Sequence, residues 1–584
     1  MRVAVLHRSR CQPRKCALEC MRFCPGVRMG EETIKIEEGS KPEISELLCT
    51  GCGICTKKCP FEAISIVNLP DELGEEKVHQ YGQNGFRLFR LPCPEEGRVT
   101  GILGENGTGK STILRILSGE LVPNFGGEEA SREEVLRRFA GRALHTYFSA
   151  LYSGELRVVR KPQHVDALPK VVRGSVGEVL QRVDERGMWR EVAERLELVH
   201  ALDRKPGELS GGELQRLAVG AALLREADVY ILDEPSSYLD VVQRLRVARL
   251  IHELAGDRRV VIVEHDLVVL DYLAERVHVV YGMPGVYGIV SGARGVRRGI
   301  NAYLRGYLRE ENVRIRGEEL RFEVRPPAQG EERELMLAYP RMRKSYDGFR
   351  LEVDGGELYR GEVVGVLGAN ATGKSTFVKI LAGVVEADEG MPEGSLRVSY
   401  KPQYLSASFS GSVEELLARL GLAGDPFFES EISRPLALSR LAQKSVQELS
   451  GGELQLVAVA TCLGREAEAY LLDEPSAYLD VEHRLRLARV VRRVVEKREA
   501  LGIVVDHDLL FIDYISDRAM VFSGVPGRQG YASKPMDMRS AMNLFLREMR
   551  VTLRRDPETG RPRVNKPGSV KDREQMLRGE YYYA

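Results

Sequence analysis

Short apolar runs that end at glycine-rich or acidic positions recur along this chain and determine its predicted fold. Runs at 99–103 and 363–367 lead into glycine loops, and runs at 229–232 and 469–472 end at paired acids. Apolar runs of this length, bounded by turn signals, are typical of strands buried on both faces. We therefore expect parallel α/β sheets that occur twice in the chain.

Length and charge limit the protein classes that fit the sequence. At 584 residues the chain exceeds a single core, so about three or four domains are expected. Lys plus Arg equals Asp plus Glu at 85 each, so any basic surface must be local. No stretch reaches the ~18 apolar residues of a membrane helix, and the N-terminus MRVAVLHRSR lacks the apolar region of a secretion signal. We expect a cytoplasmic protein without a membrane partner.

The two glycine loops are P-loops, with the sequences GENGTGKST at 104–112 and GANATGKST at 368–376. Each lies between a strand-like and a helix-like stretch, the context in which backbone N–H groups cradle phosphates, the lysine neutralises charge and the serine holds Mg²⁺. The predicted ATP-binding residues here are Gly104, Asn106, Gly107, Gly109, Lys110, Ser111, Thr112, Gly368, Asn370, Gly373, Lys374, Ser375 and Thr376, with Ser111 and Ser375 also predicted to bind magnesium.

The same motifs follow each P-loop in the same order. KPQ ends at Gln163 and Gln403, LSGGELQ begins at 209 and 449, and YLD ends at 240 and 480. EHD and DHD then place His265 and His507 after further apolar runs. This duplicated order predicts two nucleotide-binding units within one chain.

Paired acids end one buried strand in each copy, as Asp233-Glu234 and Asp473-Glu474. The first acid of each pair is expected to hold the Mg²⁺ shell, and the second to polarise water as a general base. Glu234 and Glu474 are therefore the predicted catalytic bases. A solvated acid that caps a helix is the structural alternative for each.

Eight of the ten cysteines lie within residues 11–59, in two runs that each end in Cys-Pro. The second run has the spacing of a bacterial ferredoxin, in which the last cysteine of each run ligates the cluster of the other. This crossing predicts two [4Fe-4S] clusters. Four-cysteine zinc sites, whose ligands usually come as separated pairs, and disulfides are the alternatives. The predicted ligand sets are Cys49, Cys52, Cys55 and Cys24 for one cluster, and Cys11, Cys16, Cys20 and Cys59 for the other.

Three further segments carry local signals. The interval from P-loop to KPQ is longer in the first copy, where residues 131–148 form a basic helix-turn-helix pattern with Arg132, Arg137, Arg138 and Arg142. It is either a docking element for phosphates or a surface elaboration.

Residues 294–316 hold seven arginines among tyrosines, which suits RNA contact or a charged hinge, and the C-terminal region repeats this character. Tyr81, Phe86 and Tyr346 are candidates to stack on adenine, or else core residues.

Together, the cysteine runs, the tandem cassettes, the insertion in the first cassette and the ending GRPRVNK to GEYYY resemble the ABC class E ATPases, the ribosome-recycling or RNase L inhibitor family, of archaeal type. The implied fold class is α/β, with two tandem ABC-type P-loop nucleotide-binding domains preceded by an α+β ferredoxin-like two-cluster iron–sulfur domain. The implied domains are 1–75 (iron–sulfur), 76–293 (first cassette, with the insertion at about 125–160), 294–327 (hinge 1), 328–535 (second cassette) and 536–584 (hinge 2).

The resemblance also assigns roles that the residues alone do not. It implies that each LSGGELQ motif, the signature motif of the family, contacts ATP on the opposite cassette. Ser450 and Gly452 would then face the first P-loop, and Ser210 and Gly212 the second. It makes Gln163 and Gln403 magnesium and ATP contacts, Asp233 and Asp473 magnesium ligands, and His265 and His507 γ-phosphate sensors.

The family's function would be ATP-driven splitting of ribosomes into subunits by a monomer whose two cassettes close on ATP and swing the iron–sulfur domain. The implied partners are the small ribosomal subunit with its RNA and a release factor or Pelota-type factor. The cofactors would be two [4Fe-4S] clusters and Mg²⁺. The rival functions are the ATPase of a transporter, which leaves the cysteines unexplained, and an iron–sulfur redox or cluster-assembly ATPase.

The second copy departs from the first or from the family at two positions. Leu456 occupies the place of Arg216, and Ala369 stands where proline is expected. Neither change removes a phosphate ligand, so we expect both sites to bind ATP and to turn over at different rates.

Overall fold

The computed structural model describes residues 2–8, 10–37, 40–127, 129–317, 319–320, 322, 334–392, 396–403, 407–566 and 568–583. The predicted boundary between hinge 1 and the second cassette, at 327/328, lies outside these residues. Chain contacts define two compact units. Unit 1 comprises Met1–Pro235, Leu250–Glu264 and Leu273–Gly317, and unit 2 comprises Ser236–Arg249, His265–Tyr272 and Glu318–Ala584.

The N-terminal region of unit 1 is a small α+β layer. Strand β1 (Arg2–Leu6) pairs antiparallel with β4 (Ile64–Asn68), and β2 (Ile34–Lys35) pairs with β3 (Glu43–Ile44). Its helices are α1 (Glu19–Arg22), α2 (Pro25–Arg28) and α3 (Ile54–Lys58). Cysteines pack among the aliphatic side chains of this core, so the sulfur chemistry and the hydrophobic core are the same part of the molecule.

The first cassette is a mixed sheet in the order β5-β6-β12-β11-β7-β10-β9-β8, with β13 pairing β11. Its middle strands β7, β10 and β9 are parallel and buried except at the arginines that begin β7 and β10, as their continuous apolar runs predicted. The strands are β5 (Lys77–Gln80), β6 (Arg87–Phe89), β7 (Arg98–Gly104), β8 (Val158–Lys161), β9 (Val229–Asp233), β10 (Arg259–Val263), β11 (Arg276–Met283), β12 (Tyr287–Val290) and β13 (Arg294–Gly295).

The helices of the first cassette are α4 (Lys110–Leu117), α5 (Arg132–Arg138), α6 (Ala143–Ser153), α7 (Leu168–Val171), α8 (Val176–Val183), α9 (Trp189–Arg195), α10 (Gly211–Leu223), α11 (Val241–Ala255) and α12 (Leu267–Leu273). The insertion consists of α5 and α6. Its buried Val135, Phe139 and Phe148 join the cassette core. Ser131 caps α5 by accepting a hydrogen bond from the Glu134 N–H.

After the first cassette, α13 (Val296–Arg305) leads into a hairpin of β14 (Tyr307–Leu308) and β15 (Val313–Arg314). Arg294, which lies just before α13, is buried and paired with Glu310 and Glu311. Part of the arginine-rich segment is thus internal structure, whereas Arg305, Arg309 and Arg314 lie at the surface.

The second cassette, in unit 2, repeats the sheet in the order β17-β18-β25-β24-β20-β23-β22-β21, with β26 pairing β24. A separate pair, β16 with β19, flanks it. The strands are β16 (Leu335–Tyr339), β17 (Met342–Tyr346), β18 (Phe349–Val353), β19 (Gly356–Tyr359), β20 (Val363–Gly368), β21 (Val398–Lys401), β22 (Ala469–Asp473), β23 (Leu501–Val505), β24 (Arg518–Val525), β25 (Gln529–Ala532) and β26 (Met536–Asp537). The helices are α14 (Lys374–Leu381), α15 (Val413–Arg419), α16 (Gly451–Gly464), α17 (Val481–Lys497) and α18 (Leu509–Ile515).

The C-terminal segment of unit 2 contains α19 (Met538–Met549), β27 (Leu553–Arg555), β28 (Pro562–Val564), α20 (Val570–Arg578) and β29 (Tyr582–Tyr583). Buried arginine–carboxylate pairs fix it. Arg555 makes two hydrogen bonds to Asp513, and Arg563 makes two to Asp271, which Arg561 also contacts. Such forked pairs are directional, so they set the position of the segment.

The described residues include no helix with the length and apolar character required to cross a membrane.

Removing the carboxylate shared by two arginines should destabilise unit 2 strongly. Asp271→Ala leaves Arg561 fully buried without this partner, and breaking a buried pair costs about 3–5 kcal/mol of unfolding free energy. Glu580→Ala removes the exposed pair with Arg539 and should cost less than about 1 kcal/mol. Calorimetry of the two variants checks this difference, and equal unfolding temperatures would contradict it.

Candidate functional site

Each P-loop wraps the end of the lysine that begins the following helix. In unit 1, Lys110 Nζ donates to the carbonyls of Gly104 and Glu105, at 2.9 and 3.0 Å, and to Asn106 Oδ1. In unit 2, Lys374 Nζ donates to the carbonyl of Gly368 at 2.9 Å. The loops therefore place one cation at the centre of a ring of backbone groups, as a phosphate site requires.

Glycine is needed at the last loop position of the first copy. Gly109 has φ +96°, and a Cβ there would lie 2.7 Å from the ring of Phe86. The second copy has the same arrangement, because a Cβ on Gly373 would lie 3.2 Å from the ring of Phe349. The aromatic rings thus pack directly against the phosphate loops. Phe349 was not among the predicted site residues, although its place before the second P-loop corresponds to that of Phe86 before the first.

The paired acids of unit 1 lie at the end of β9 in a tightly bonded turn. Gln163 Nε2 donates to Glu234 Oε1 at 2.6 Å, and Gln215 Nε2 donates to the Glu234 carbonyl at 2.7 Å. Lys161 Nζ donates to the carbonyls of Asp233 and Glu234, at 2.8 and 3.2 Å. The KPQ motif and the signature helix α10 thereby meet at the acid pair.

Unit 2 repeats this turn almost atom for atom at the end of β22. Gln403 Nε2 donates to Glu474 Oε1 at 2.7 Å, and Gln455 Nε2 to the Glu474 carbonyl at 2.6 Å. Lys401 Nζ donates to the carbonyls of Asp473 and Glu474, at 2.7 and 3.1 Å. The glutamines of the LSGGELQ motifs and the KPQ lysines were not among the predicted site residues, although both recur at fixed places in the two copies.

Burial dominates the electrostatics of the acid pairs. It raises the pKa of Asp233 to about 6, with the Glu234 charge adding to the effect, and it also raises the pKa of Asp473. Burial alone would raise the pKa of Glu474, but the neighbouring His507 and Lys374 lower this pKa overall. His507 Nε2 lies 3.3 Å from Glu474 Oε1. The pKa values of the two acids of the second pair are thus shifted in opposite directions.

The first acid of each pair has oxygen atoms suited to a hard cation. Oδ2 of Asp233 and both carboxylate oxygens of Asp473 are buried, and none accepts a hydrogen bond from the described residues. Mg²⁺ prefers such carboxylate oxygens together with phosphates and water. The residues therefore fit the predicted magnesium ion, with Ser111 and Ser375 in the adjoining P-loops as the other candidate ligands.

The serines of the two LSGGELQ signature motifs begin helices. Ser210 caps α10 and Ser450 caps α16, and each donates its hydroxyl to a glutamate of the same motif, Glu213 or Glu453. Gly212 and Gly452 lie in the first turn of the same helices. The pairing of each signature with the opposite P-loop stays a prediction.

The segment around His265, the histidine of the EHD motif in the first copy, belongs to unit 2. His265 is buried there, at the start of the stretch that contains α12. Within this unit, the backbone N–H of Asn370 in the second P-loop donates to Asp240 Oδ2 at 2.8 Å. The acid of the first YLD motif therefore lies beside the second phosphate loop.

The three candidate adenine-stacking residues differ in their surroundings. Tyr81 is 42% exposed, and its hydroxyl lies 3.2 Å from Thr112 Oγ1. Tyr346 is 46% exposed and lies under the Lys344 ammonium, 5.6 Å from the ring centroid. Both rings are accessible to a flat ligand, whereas Phe86 is half-buried against Gly109.

The cysteines line two separate cavities, and each cavity draws ligands from both runs. One is lined by Cys24, Cys49, Cys52 and Cys55, and the other by Cys11, Cys16, Cys20 and Cys59. These are the crossed sets that the ferredoxin spacing predicted. Burial raises the pKa of Cys20 to about 11 and that of Cys55 to about 12, so an isolated thiolate is disfavoured. Iron takes cysteine sulfur as thiolate, and four convergent sulfurs fit a [4Fe-4S] cube.

Family models match most of the chain. A model described as ABC transporter matches residues 93–237 and 353–477. One described as a possible Fer4-like domain in RNase L inhibitor matches 1–32, and a 4Fe-4S binding domain matches 42–65. The order of cluster region and two cassettes found in the structure is therefore found by these models as well.

Full-length relatives share this order. An uncharacterized ABC transporter ATP-binding protein of Methanocaldococcus jannaschii is 55% identical, over 100% of this chain and 98% of its own length. A structure described as a model of ribosome-bound archaeal Pelota and ABCE1 is 54% identical, with a TM-score of 0.93 over 100% of this chain and 99% of that one. The complex of archaeal ribosomal stalk protein aP1 and archaeal ribosome recycling factor aABCE1 is 54% identical, with a TM-score of 0.85 over 88% and 100%.

Paired cysteine variants test the crossed ligation. Cys24→Ala with Cys55→Ala removes ligands from one cavity and should leave about four of the eight irons per chain. Cys20→Ala with Cys24→Ala removes ligands from both cavities and should leave almost none. Iron and sulfide analysis measures this, with Cys93→Ala as the control outside both cavities. The reverse order of iron contents would mean that each run ligates its own cluster.

Proposed function

Since this chain belongs to the ABC class E family, the RNase L inhibitor family of ATPases, we propose that it is an ATP-driven factor that splits ribosomes into subunits. The observation that carries the proposal is the joining of two cassette ATP sites and a two-cluster domain in one chain. Its relatives of known structure support it, because they include an archaeal ribosome recycling factor and a ribosome-bound complex with Pelota. We place its activity in the cytoplasm, on the small subunit and its RNA.

In the proposed ATP hydrolysis, Glu234 and Glu474 are the bases. Each carboxylate accepts a proton from a water whose oxygen attacks the γ-phosphorus, while the bond from that phosphorus to the bridging oxygen breaks and ADP leaves with the electron pair. Lys110 and Lys374 offset the charge on the phosphates. Asp233 and Asp473 would each hold one Mg²⁺ ion, which would supply further positive charge to its own site.

In unit 2, His507 is proposed to contact the reacting γ-phosphate in addition to Lys374. It lies beside Glu474 and favours the ionised carboxylate, the form that accepts a proton. His265 has the same proposed role by its place in the motif order. Gln163 and Gln403 donate hydrogen bonds to the carboxylates of Glu234 and Glu474. A nucleotide that displaces either glutamine would therefore also move the carboxylate of the base beside it.

The link from ATP to the cluster domain is proposed to run through one buried asparagine. Asn84 lies between the candidate adenine contacts Tyr81 and Phe86. Its side chain donates to the carbonyls of Ala4 and Ile44, and its Oδ1 accepts the Ile44 N–H at 2.7 Å. Displacement of this loop by nucleotide would therefore pull directly on β1 and β3 of the cluster domain. The clusters, when bound, cross-link the two cysteine runs and stiffen that domain.

Subunit splitting is the direct test of the proposal. Purified protein, ATP and a Pelota-type factor are added to assembled archaeal ribosomes, and sedimentation measures the free subunits. Splitting that requires both ATP and the protein is expected. Intact ribosomes, with ATP hydrolysis confirmed in the same tube, would refute the function, and co-sedimentation with membranes would favour the transporter alternative.

Substitution of the proposed bases should stop hydrolysis and preserve binding. Glu234→Gln with Glu474→Gln keeps the size of each side chain and removes the proton acceptor. The rate of ATP hydrolysis should therefore fall by about 10²- to 10⁴-fold. ATP binding, followed with a fluorescent analogue, should be nearly unchanged. Hydrolysis at the parental rate in the double variant would show that neither glutamate is the base.

Asn84→Ala should separate ATP hydrolysis from splitting. The change removes three of the side-chain hydrogen bonds between the first cassette and the cluster domain, and leaves the P-loop and acids intact. We expect ATPase activity within about threefold of the parent and a loss of splitting. The control is Asn543→Ala, in α19 of unit 2. Splitting at the parental rate by Asn84→Ala would exclude this route of coupling.

A further inference from the structure

One buried lysine in each cassette lies at the catalytic turn without a part in the mechanism above. Lys161 ends β8 and Lys401 ends β21, two positions before the glutamine of KPQ, and both side chains are at most 1% exposed. Lysine is rarely buried so completely, because removing an ammonium from water is costly unless it is well bonded. Its presence at the same place in two copies calls for a physical reason.

Both lysines bond to the main chain of the acid pair rather than to its carboxylates. Each Nζ lies within 2.7–3.2 Å of two consecutive carbonyl oxygens, those of Asp233 and Glu234 or of Asp473 and Glu474. The carbonyl of each glutamate also accepts a hydrogen bond from Gln215 or Gln455. One ammonium therefore holds two peptide groups in a fixed relative orientation.

That orientation is one that glutamate seldom adopts. Glu234 has φ +46° and Glu474 has φ +50°, in the left-handed region that disfavours a side chain with a Cβ. On the other side, the N–H of Glu234 donates to Val263 O, and that of Glu474 to Val505 O. The peptides before and after each glutamate are thus both held, and a strained conformation persists only where its surroundings fix it.

We propose that Lys161 and Lys401 are positioning residues for ATP hydrolysis, which fix the left-handed turn and so aim each glutamate carboxylate at the attacking water. The inference rests on the proposed role of Glu234 and Glu474 as bases. Burial lowers the pKa of each lysine to about 8, in agreement with the desolvated position that the contacts show. Both lysines bond to backbone carbonyls, so the proposed positioning acts through the backbone.

Lys401→Met tests the proposal in a chain that also carries Glu234→Gln, so that hydrolysis reports the second cassette. Methionine fills a similar volume and cannot donate to the two carbonyls. We expect kcat to fall by about tenfold or more, because two hydrogen bonds from a charged donor are lost. The Kd for a fluorescent ATP analogue should change by less than about twofold, because the phosphate loop is untouched.

Two matched variants separate positioning from folding. Lys401→Arg restores a charged donor at the same place and should recover part of kcat. Lys497→Met removes a partly exposed lysine that pairs with Glu431, and should leave both kcat and Kd unchanged. If Lys401→Met lowers the unfolding temperature and weakens ATP binding in proportion to kcat, the lysine is structural only and the proposal is wrong.

A double-mutant cycle distinguishes failure of this inference from failure of the base assignment. If Lys401 acts through Glu474, Lys401→Met should have almost no further effect on kcat in a chain that carries Glu474→Gln. Independent, multiplying losses would overturn the positioning role. An unchanged kcat when Glu474→Gln is added to the Glu234→Gln chain would instead overturn the base assignment, whatever the lysine variant does.

Discussion

The acid pair at the end of a buried strand is the constraint on which each cassette depends. A glutamate in a left-handed conformation, with its neighbouring peptide groups bonded to a lysine, a glutamine and the adjacent strand, brings the KPQ motif, the signature helix and the acid strand to one point. Burial raises the pKa of the first acid, and in unit 2 a histidine offsets burial for the second. The opposite pKa shifts of the two acids in unit 2 therefore follow from their surroundings.

The cluster domain depends on a different kind of constraint. Its core is small, and the cysteines pack within it, so ligation by iron and packing reinforce each other. A buried asparagine then ties its strands to the loop that carries Tyr81 and Phe86. A domain stiffened by clusters can transmit a displacement of that loop, whereas a loosely packed domain of this size would absorb it.

Much of this could be predicted from the sequence, because the motifs have fixed order and the strands have continuous apolar runs. The P-loops and the strand ends with paired acids follow from motif order and spacing, and the crossed cysteine sets follow from the ferredoxin pattern. The lysine of KPQ was harder, because a sequence does not reveal that a cation bonds to carbonyls. Nor does it reveal that arginines such as Arg294 and Arg561, within segments that look basic, are buried in ion pairs rather than offered to RNA.

A structure of the protein determined with Mg²⁺ and a non-hydrolysable ATP analogue would test the central claim most directly. The account predicts that Lys161 and Lys401 keep their bonds to the acid-pair carbonyls, that Asp233 and Asp473 contact the metal shell, and that both glutamate carboxylates point to the water in line with the γ-phosphate. Lysines moved onto the phosphates, or glutamates turned away from that water in both cassettes, would contradict it.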